Sequence, residues 1–89
     1  MKELFDAILV LRDRREVERF FRDLCTIAEL EAMAHRWQVA RLVNQGLPYV
    51  EIAEKTGAST ATVTRVAHWL NHGEGGYRNA IDKAKKSTA

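Results

Sequence analysis

One cysteine, one proline and five glycines are all that these 89 residues hold of the types that staple, kink or loosen a backbone. Cys25 has no second thiol in the chain, so an intramolecular disulfide is excluded and a reducing, cytoplasmic setting is expected. So little Pro and Gly argues against long loops or a barrel and points to helices. Long apolar runs are missing too. Ala7-Ile8-Leu9-Val10-Leu11 is five residues, against the roughly 18–20 that cross a bilayer, so no membrane partner is expected. Glu3 and Asp6 stand where a secretory leader would need a basic start and an apolar stretch, and no such leader is expected. No carboxylate pair, Cys/His dyad or glycine phosphate loop is present. Catalysis and a resident cofactor are therefore not expected.

What remains is 46% hydrophobic and 29% charged, the composition of one small soluble domain over residues 1–89. A chain near this length buries only about 60–65% of its unfolded surface, and a symmetric homodimer is the usual remedy. The 14 Lys and Arg against 12 Asp and Glu leave a net charge of +2, which excludes an acidic disordered chain but does not itself announce nucleic acid. Its distribution is more telling. Residues 1–35 hold 6 basic and 8 acidic side chains, 36–57 hold 3 and 2, and 58–89 hold 5 and 2. From Ala58 to Gly73 there is no acid at all.

Helical periodicity runs through the chain. Leu4, Ile8 and Leu11 mark a first helix over about residues 2–12. Asp13 is a credible N-cap for a second, with Val17, Phe20, Phe21 and Leu24 as its apolar stripe. Thr26 and Glu29 have the spacing of a capping box. From there Ile27, Leu30, Met33, Ala34, Trp37, Ala40, Leu42 and Val43 carry a helix of about 19 residues to a stop at Gly46. Pro48 suits the start of a fourth helix carrying Val50, Ile52 and Ala53. Thr56-Gly57-Ala58-Ser59 interrupts, and Ser59 can cap a fifth helix running to about Asn71. Gly73-Glu74-Gly75-Gly76 forms a turn before a last helix, from about Tyr77 to Lys85, that buries Tyr77, Ala80, Ile81 and Ala84. The expectation is all-α, six helices and no strand.

Residues 49–71 read as a helix-turn-helix. Ala53 is small where a second helix crosses close over the first, and Gly57, four residues on, supplies a positive φ for the sharp turn. Ile52, Val63 and Val66 are placed to pin the pair together and onto the core. The second helix opens with Ser59, Thr60, Ala61, Thr62 and Thr64, whereas a merely solvated helix would carry Glu and Lys pairs. Short hydroxyl and methyl side chains let a backbone approach base edges, bond phosphates or touch a thymine methyl. Partial positive charge at the helix N-terminus favours phosphate. Thr60, Ala61 and Thr64 are thus assigned to base edges, and Tyr49, Lys55, Ser59 and Thr62 to phosphate anchoring on double-stranded DNA.

From Leu24 to Leu70 the chain resembles the Trp-repressor family, specifically its Trp-repressor-related (YerC/YecD-type) branch. The matching residues are Leu24-Cys25-Thr26-Ile27-Ala28-Glu29-Leu30-Glu31-Ala32-Met33, Arg36, Gly46, Gly57-Ala58 and Ala61-Thr62-Val63-Thr64-Arg65. The resemblance implies a six-helix, intertwined homodimer acting as a repressor on palindromic operators, each projecting a helix-turn-helix reading head. Two such heads enter successive major grooves about 34 Å apart. It also implies a tryptophan pocket lined by two arginines, which Arg36 and Arg65 match; Arg65 stands among the DNA-binding candidates as well. Positions that are small in tryptophan-binding members are Val66 and Trp69 here. An indole at residue 69 could fill the volume meant for the corepressor, so dependence on L-tryptophan is not expected.

Other readings weigh less. His68 and His72 have the spacing of a metal pair, but no Cys or carboxylate completes a site, and none is expected. Cys25 reads as a small apolar residue at a helix junction, and Trp37 as core. Arg12, Arg14, Arg15, Arg19 and Arg22 alternate with Asp13, Glu16, Glu18 and Asp23 as a solvated mixed face. Lys83, Lys85 and Lys86 are either nonspecific phosphate contacts or a frayed tail. The rivals to a DNA-binding regulator are a protein-interaction module of helix-turn-helix shape and a small-molecule sensor built on Arg36 and Arg65, neither with specific DNA binding.

Overall fold

The computed structural model of the protein describes residues 1–88, with side chains described through Lys85. Among these residues there are six helices and no strand: α1 (Lys2–Leu9), α2 (Arg14–Leu24), α3 (Ile27–Asn44), α4 (Tyr49–Thr56), α5 (Thr60–His72) and α6 (Gly76–Thr88). The chain divides into two compact units, Met1–Ala32 and Met33–Ala89, and α3 starts in the first and ends in the second. No helix among the described residues is long and apolar enough to cross a membrane.

In the first unit, capping decides where helices begin. Asp13 is extended and its carboxylate accepts the Glu16 amide at 3.0 Å, while the Glu16 carboxylate accepts the Arg12 amide at 3.3 Å. The extended N-cap Asp13 separates the first two helices, and α1 ends at Leu9 rather than near residue 12. The Thr26–Glu29 capping box forms in both directions, the Thr26 Oγ1 accepting the Glu29 amide at 3.1 Å and the Glu29 carboxylate accepting the Thr26 amide at 2.8 Å. The Thr26 amide's bond, and after it the Thr26 side chain, hold the Glu29 carboxyl below the ordinary carboxylate range. Cys25 is half-buried at the α2 C-cap, the expected junction position.

Packing in this unit is incomplete. Neither α1 nor α2 contains a buried residue. Val17, Phe20 and Phe21 are half-buried, the two rings edge-to-face at 5.8 Å, but Leu4 and Leu24 of the predicted stripes are exposed, as are Phe5, Leu9 and Val10. An open groove of about 360 Å³ runs past Val17, Phe21 and Leu30.

The second unit has a true core of Val39, Ala40, Ile52, Val63 and Val66, with Leu42, Val43, Leu47, Ala53, Ala58 and Tyr77 packed around it. At the end of α3 the Gly46 amide donates to the Val43 carbonyl at 3.0 Å and the Leu47 amide to the Leu42 carbonyl at 3.4 Å, with Gly46 at φ +86°. That is a Schellman motif, and its two leucines meet the core as such motifs require. Pro48 takes the N-cap of α4, one position ahead of its first helical residue.

Three apolar expectations are corrected here. Val50 is 64% exposed, because it stands two positions from the buried Ile52 and so on the far side of α4. Ala80 and Ala84 are exposed, because α6 meets its unit through Tyr77 and Ile81, spaced one turn apart, and shows its other faces to solvent. Trp37 is half-buried rather than central, stacked on Tyr77 at 6.4 Å.

Candidate nucleic-acid interface

The predicted helix-turn-helix forms as α4, a tight turn and α5. Gly57 is left-handed at φ +77°, where an L side chain costs roughly 1–2 kcal/mol. Its amide closes α4 onto the Ala53 carbonyl at 2.9 Å. Ile52 and Val63 are fully buried against each other's helices, and Val66, Ala67 and Leu70 continue the inward stripe of α5. The inward faces thus lock the pair, and the outward face of α5 is left to other work.

Thr56 was not anticipated. Only 9% exposed, it donates its hydroxyl to the Ile52 carbonyl at 2.8 Å and accepts the Ala58 amide at 3.2 Å. One side chain therefore serves both the last turn of α4 and the turn after it. A buried threonine beside a turn glycine was the available signal.

At the start of α5, Ser59 caps as expected, accepting the Thr62 amide at 3.1 Å and donating to the Thr62 Oγ1 at 3.0 Å. Replacing such a cap by Ala costs about 1 kcal/mol. The amides of Thr60 and Ala61 keep no hydrogen-bond partner among the described residues, as the first donors of a helix do until an anion meets them. Thr60, Ala61, Thr64 and Arg65 are exposed, and the Thr64 hydroxyl donates to the Thr60 carbonyl at 2.9 Å. Tyr49 is exposed at the head of α4. Lys55 pairs with Glu51 at 3.4 Å, both half-exposed, an i,i+4 bridge weak enough to yield to a phosphate.

A second unanticipated group braces the frame behind α5. Arg78 on α6 donates from one guanidinium nitrogen to the Asn44 side-chain carbonyl and from the other to that of Asn71, the latter at 2.8 Å. Asn71 in turn donates to the Ala67 carbonyl at 3.0 Å. The last turns of α3 and α5 are thus tied to α6 by one fork, its positive charge set near two helix C-termini.

A family model for the Trp repressor protein matches residues 1–85. The chain belongs to the Trp repressor family. Its relatives include the Bacillus subtilis (strain 168) protein YerC, itself described as uncharacterized, 46% identical over 87 residues that cover 98% of this chain and 84% of that one. The crystal structure of a TrpR-like protein from Eubacterium eligens ATCC 27750 superposes with a TM-score of 0.90 at 44% identity, covering 94% of this chain and 87% of the other. A Staphylococcus aureus structure gives 0.89, also at 44% identity, covering 94% and 84%.

The residues expected from the resemblance to line a tryptophan pocket are placed as follows. Arg36 on α3 and Arg65 on α5 are exposed, their side chains with no hydrogen bond or ion pair among the described residues. Val66 is 3% exposed and belongs to the core cluster, whereas Trp69, one turn further along α5, is 55% exposed. The two grooves described lie elsewhere: one is that of the first unit, the other of about 330 Å³ lies between α3 and α6, beside Trp37, Arg41 and Ile81. His68 and His72 face each other with ring centroids 5.1 Å apart, and no group of three metal ligands occurs among the described residues. Lys83 and Lys85 are exposed and engaged within the chain; the Lys86 side chain falls outside the described residues.

Proposed function

We propose that this chain is a homodimeric, sequence-specific DNA-binding regulator, a repressor at palindromic operators, that acts in the cytoplasm without L-tryptophan. The observation that carries the reading is the outward face of α5. Thr60, Ala61, Thr64 and Arg65 stand exposed at an acid-free helix N-terminus whose first amides lack partners among the described residues, on a helix locked by buried Ile52, Val63 and Val66. Thr60, Ala61 and Thr64 read base edges, while the Ser59-capped terminus, Thr62, Lys55, Tyr49 and Arg65 hold phosphates.

Dimerisation is supported by the first unit, where no residue of α1 or α2 is buried and Phe5, Leu9 and Val10 face solvent. Such surface needs a partner, and a second copy makes residues 1–89 one folding unit of a symmetric pair. Independence from tryptophan is supported by Trp69, an indole that already occupies the face of α5 carrying Arg65. Saturable, tight L-tryptophan binding by calorimetry would refute that part.

Selection from random duplexes, followed by mobility shifts across a salt series, tests the whole. The expected product is a palindrome with half-sites about one helical turn apart and an affinity that falls steeply with salt. One observation favours a second reading, a protein-interaction module: Trp69 and Val50 are large apolar groups left open on the helix-turn-helix. Under that reading no sequence is enriched and the salt series is flat.

A further inference from the structure

The three threonines and one serine at the head of α5 look alike in sequence but not in what their hydroxyls have left to give. Ser59 donates its proton to Thr62, and Thr64 donates its proton to the Thr60 carbonyl. Thr64 therefore meets a ligand with a methyl group and an oxygen that can only accept. Ala61 brings a methyl and no polar atom. Thr60, Ala61 and Thr64 are all exposed, and their spacings of three and four set them side by side on one helical face. Along this outward face the side chains thus present three methyls, with Thr60 alone keeping an uncommitted hydroxyl among these three residues. Arginine, asparagine and glutamine, the side chains that read guanine and adenine bidentately, are absent from the exposed positions 60, 61 and 64.

We infer that the reading head recognises its half-site chiefly through thymine C5-methyl groups, with Thr64 contributing its methyl rather than its hydroxyl. This rests on the DNA-binding reading and adds the chemical feature that is read. In the major groove only thymine carries a methyl, and it is within reach of short side chains. Packing methyl on methyl removes apolar surface from water without asking the Thr64 hydroxyl to leave the Thr60 carbonyl.

The probes are duplexes recovered by random-sequence selection, in which each thymine is replaced singly by deoxyuridine. That change deletes the C5-methyl and keeps every hydrogen-bonding edge. At least one thymine per half-site is expected to lose about fourfold in affinity on replacement, the effect of one buried methyl. Two substitutions separate methyl from hydroxyl at an exposed position where both variants retain the fold, as circular dichroism checks. Thr64→Val keeps the methyl, with a second one in place of the hydroxyl, and is expected to preserve that discrimination; Thr64→Ser keeps the hydroxyl and is expected to bind thymine and deoxyuridine alike there. Deoxyuridine tolerated at every position, or discrimination kept by Thr64→Ser and lost by Thr64→Val, overturns the inference while DNA recognition stands. Failure to enrich any sequence is a different result, and it removes the DNA-binding reading together with what rests on it.

Discussion

The hydroxyl of Thr56 donates to the carbonyl of Ile52 one turn behind it, 2.8 Å away. Because the same oxygen accepts the Ala58 amide, this bond couples the end of α4 to the turn that aims α5. Thr56→Val keeps the volume and leaves the Ala58 amide with no acceptor in a part-buried site. A loss of about 1–2 kcal/mol in urea denaturation is expected, with weaker DNA binding in parallel. A change near zero would show that the turn is held by Gly57 and the core alone.

Reading and anchoring separate by their dependence on sequence. Thr64→Ala is expected to relax discrimination by about 1 kcal/mol at one base pair. Lys55→Ala should weaken every duplex alike and lower the magnitude of the log–log salt slope by about 0.9, after Lys55 has left its weak bridge to Glu51. Competition binding with selected and scrambled duplexes distinguishes them, and identical profiles would contradict these roles.

The open apolar face of the first unit leads to a prediction about assembly. Leu9 is 80% exposed in the single chain. If a second copy covers it, Leu9→Asp places a charge in that interface and shifts the protein toward monomer at micromolar concentration, as light scattering would read. An unchanged mass of two chains would place the interface elsewhere, and a wild type with the mass of one chain would remove the dimer.

Arg78 is expected to matter for stability without touching DNA. Arg78→Lys keeps the charge but cannot fork to Asn44 and Asn71 together, and should lose about 1 kcal/mol in thermal or urea unfolding. Salt dependence of DNA binding should stay as in the wild type. A stability equal to wild type would mean that the exposed clamp contributes nothing in solution.

Glu29 carries a pH signature. Its carboxyl lies below the ordinary range because the Thr26 amide, and after it the Thr26 side chain, bond to that carboxylate at the start of α3 in the folded state. A lowered folded value stabilises above the unfolded value and is lost as pH falls through the folded one. The stability advantage over Glu29→Gln should hold at neutral pH, begin to fade near the ordinary carboxylate value and be gone below the lowered folded one. An advantage that persists at pH 2 would assign it to something other than ionisation.

Much of this was legible because it is local. Asp13, Thr26, Ser59, Gly46 and Gly57 each act within five residues, through caps and one handed turn, and the structure has them where spacing put them. Ile52, Val63 and Val66 were readable as core from periodicity. Val50, Ala80 and Ala84 were not, since an apolar side chain on a short helix does not reveal which neighbouring helix, if any, will cover it. The exposure of Trp69 is of the same kind.

Six helices, their caps and the acid-free head of α5 followed from the order of residues alone, because backbone hydrogen bonds and short-range sterics depend only on neighbours in the chain. The Arg78 fork joins residues 34 and 7 positions apart, and the pairing of Thr64 with Thr60 is one of several rotamers open to a threonine. Those were decided by tertiary packing, which chooses among side-chain positions that the sequence leaves equally possible, and with them it chose which groups α5 has free to present.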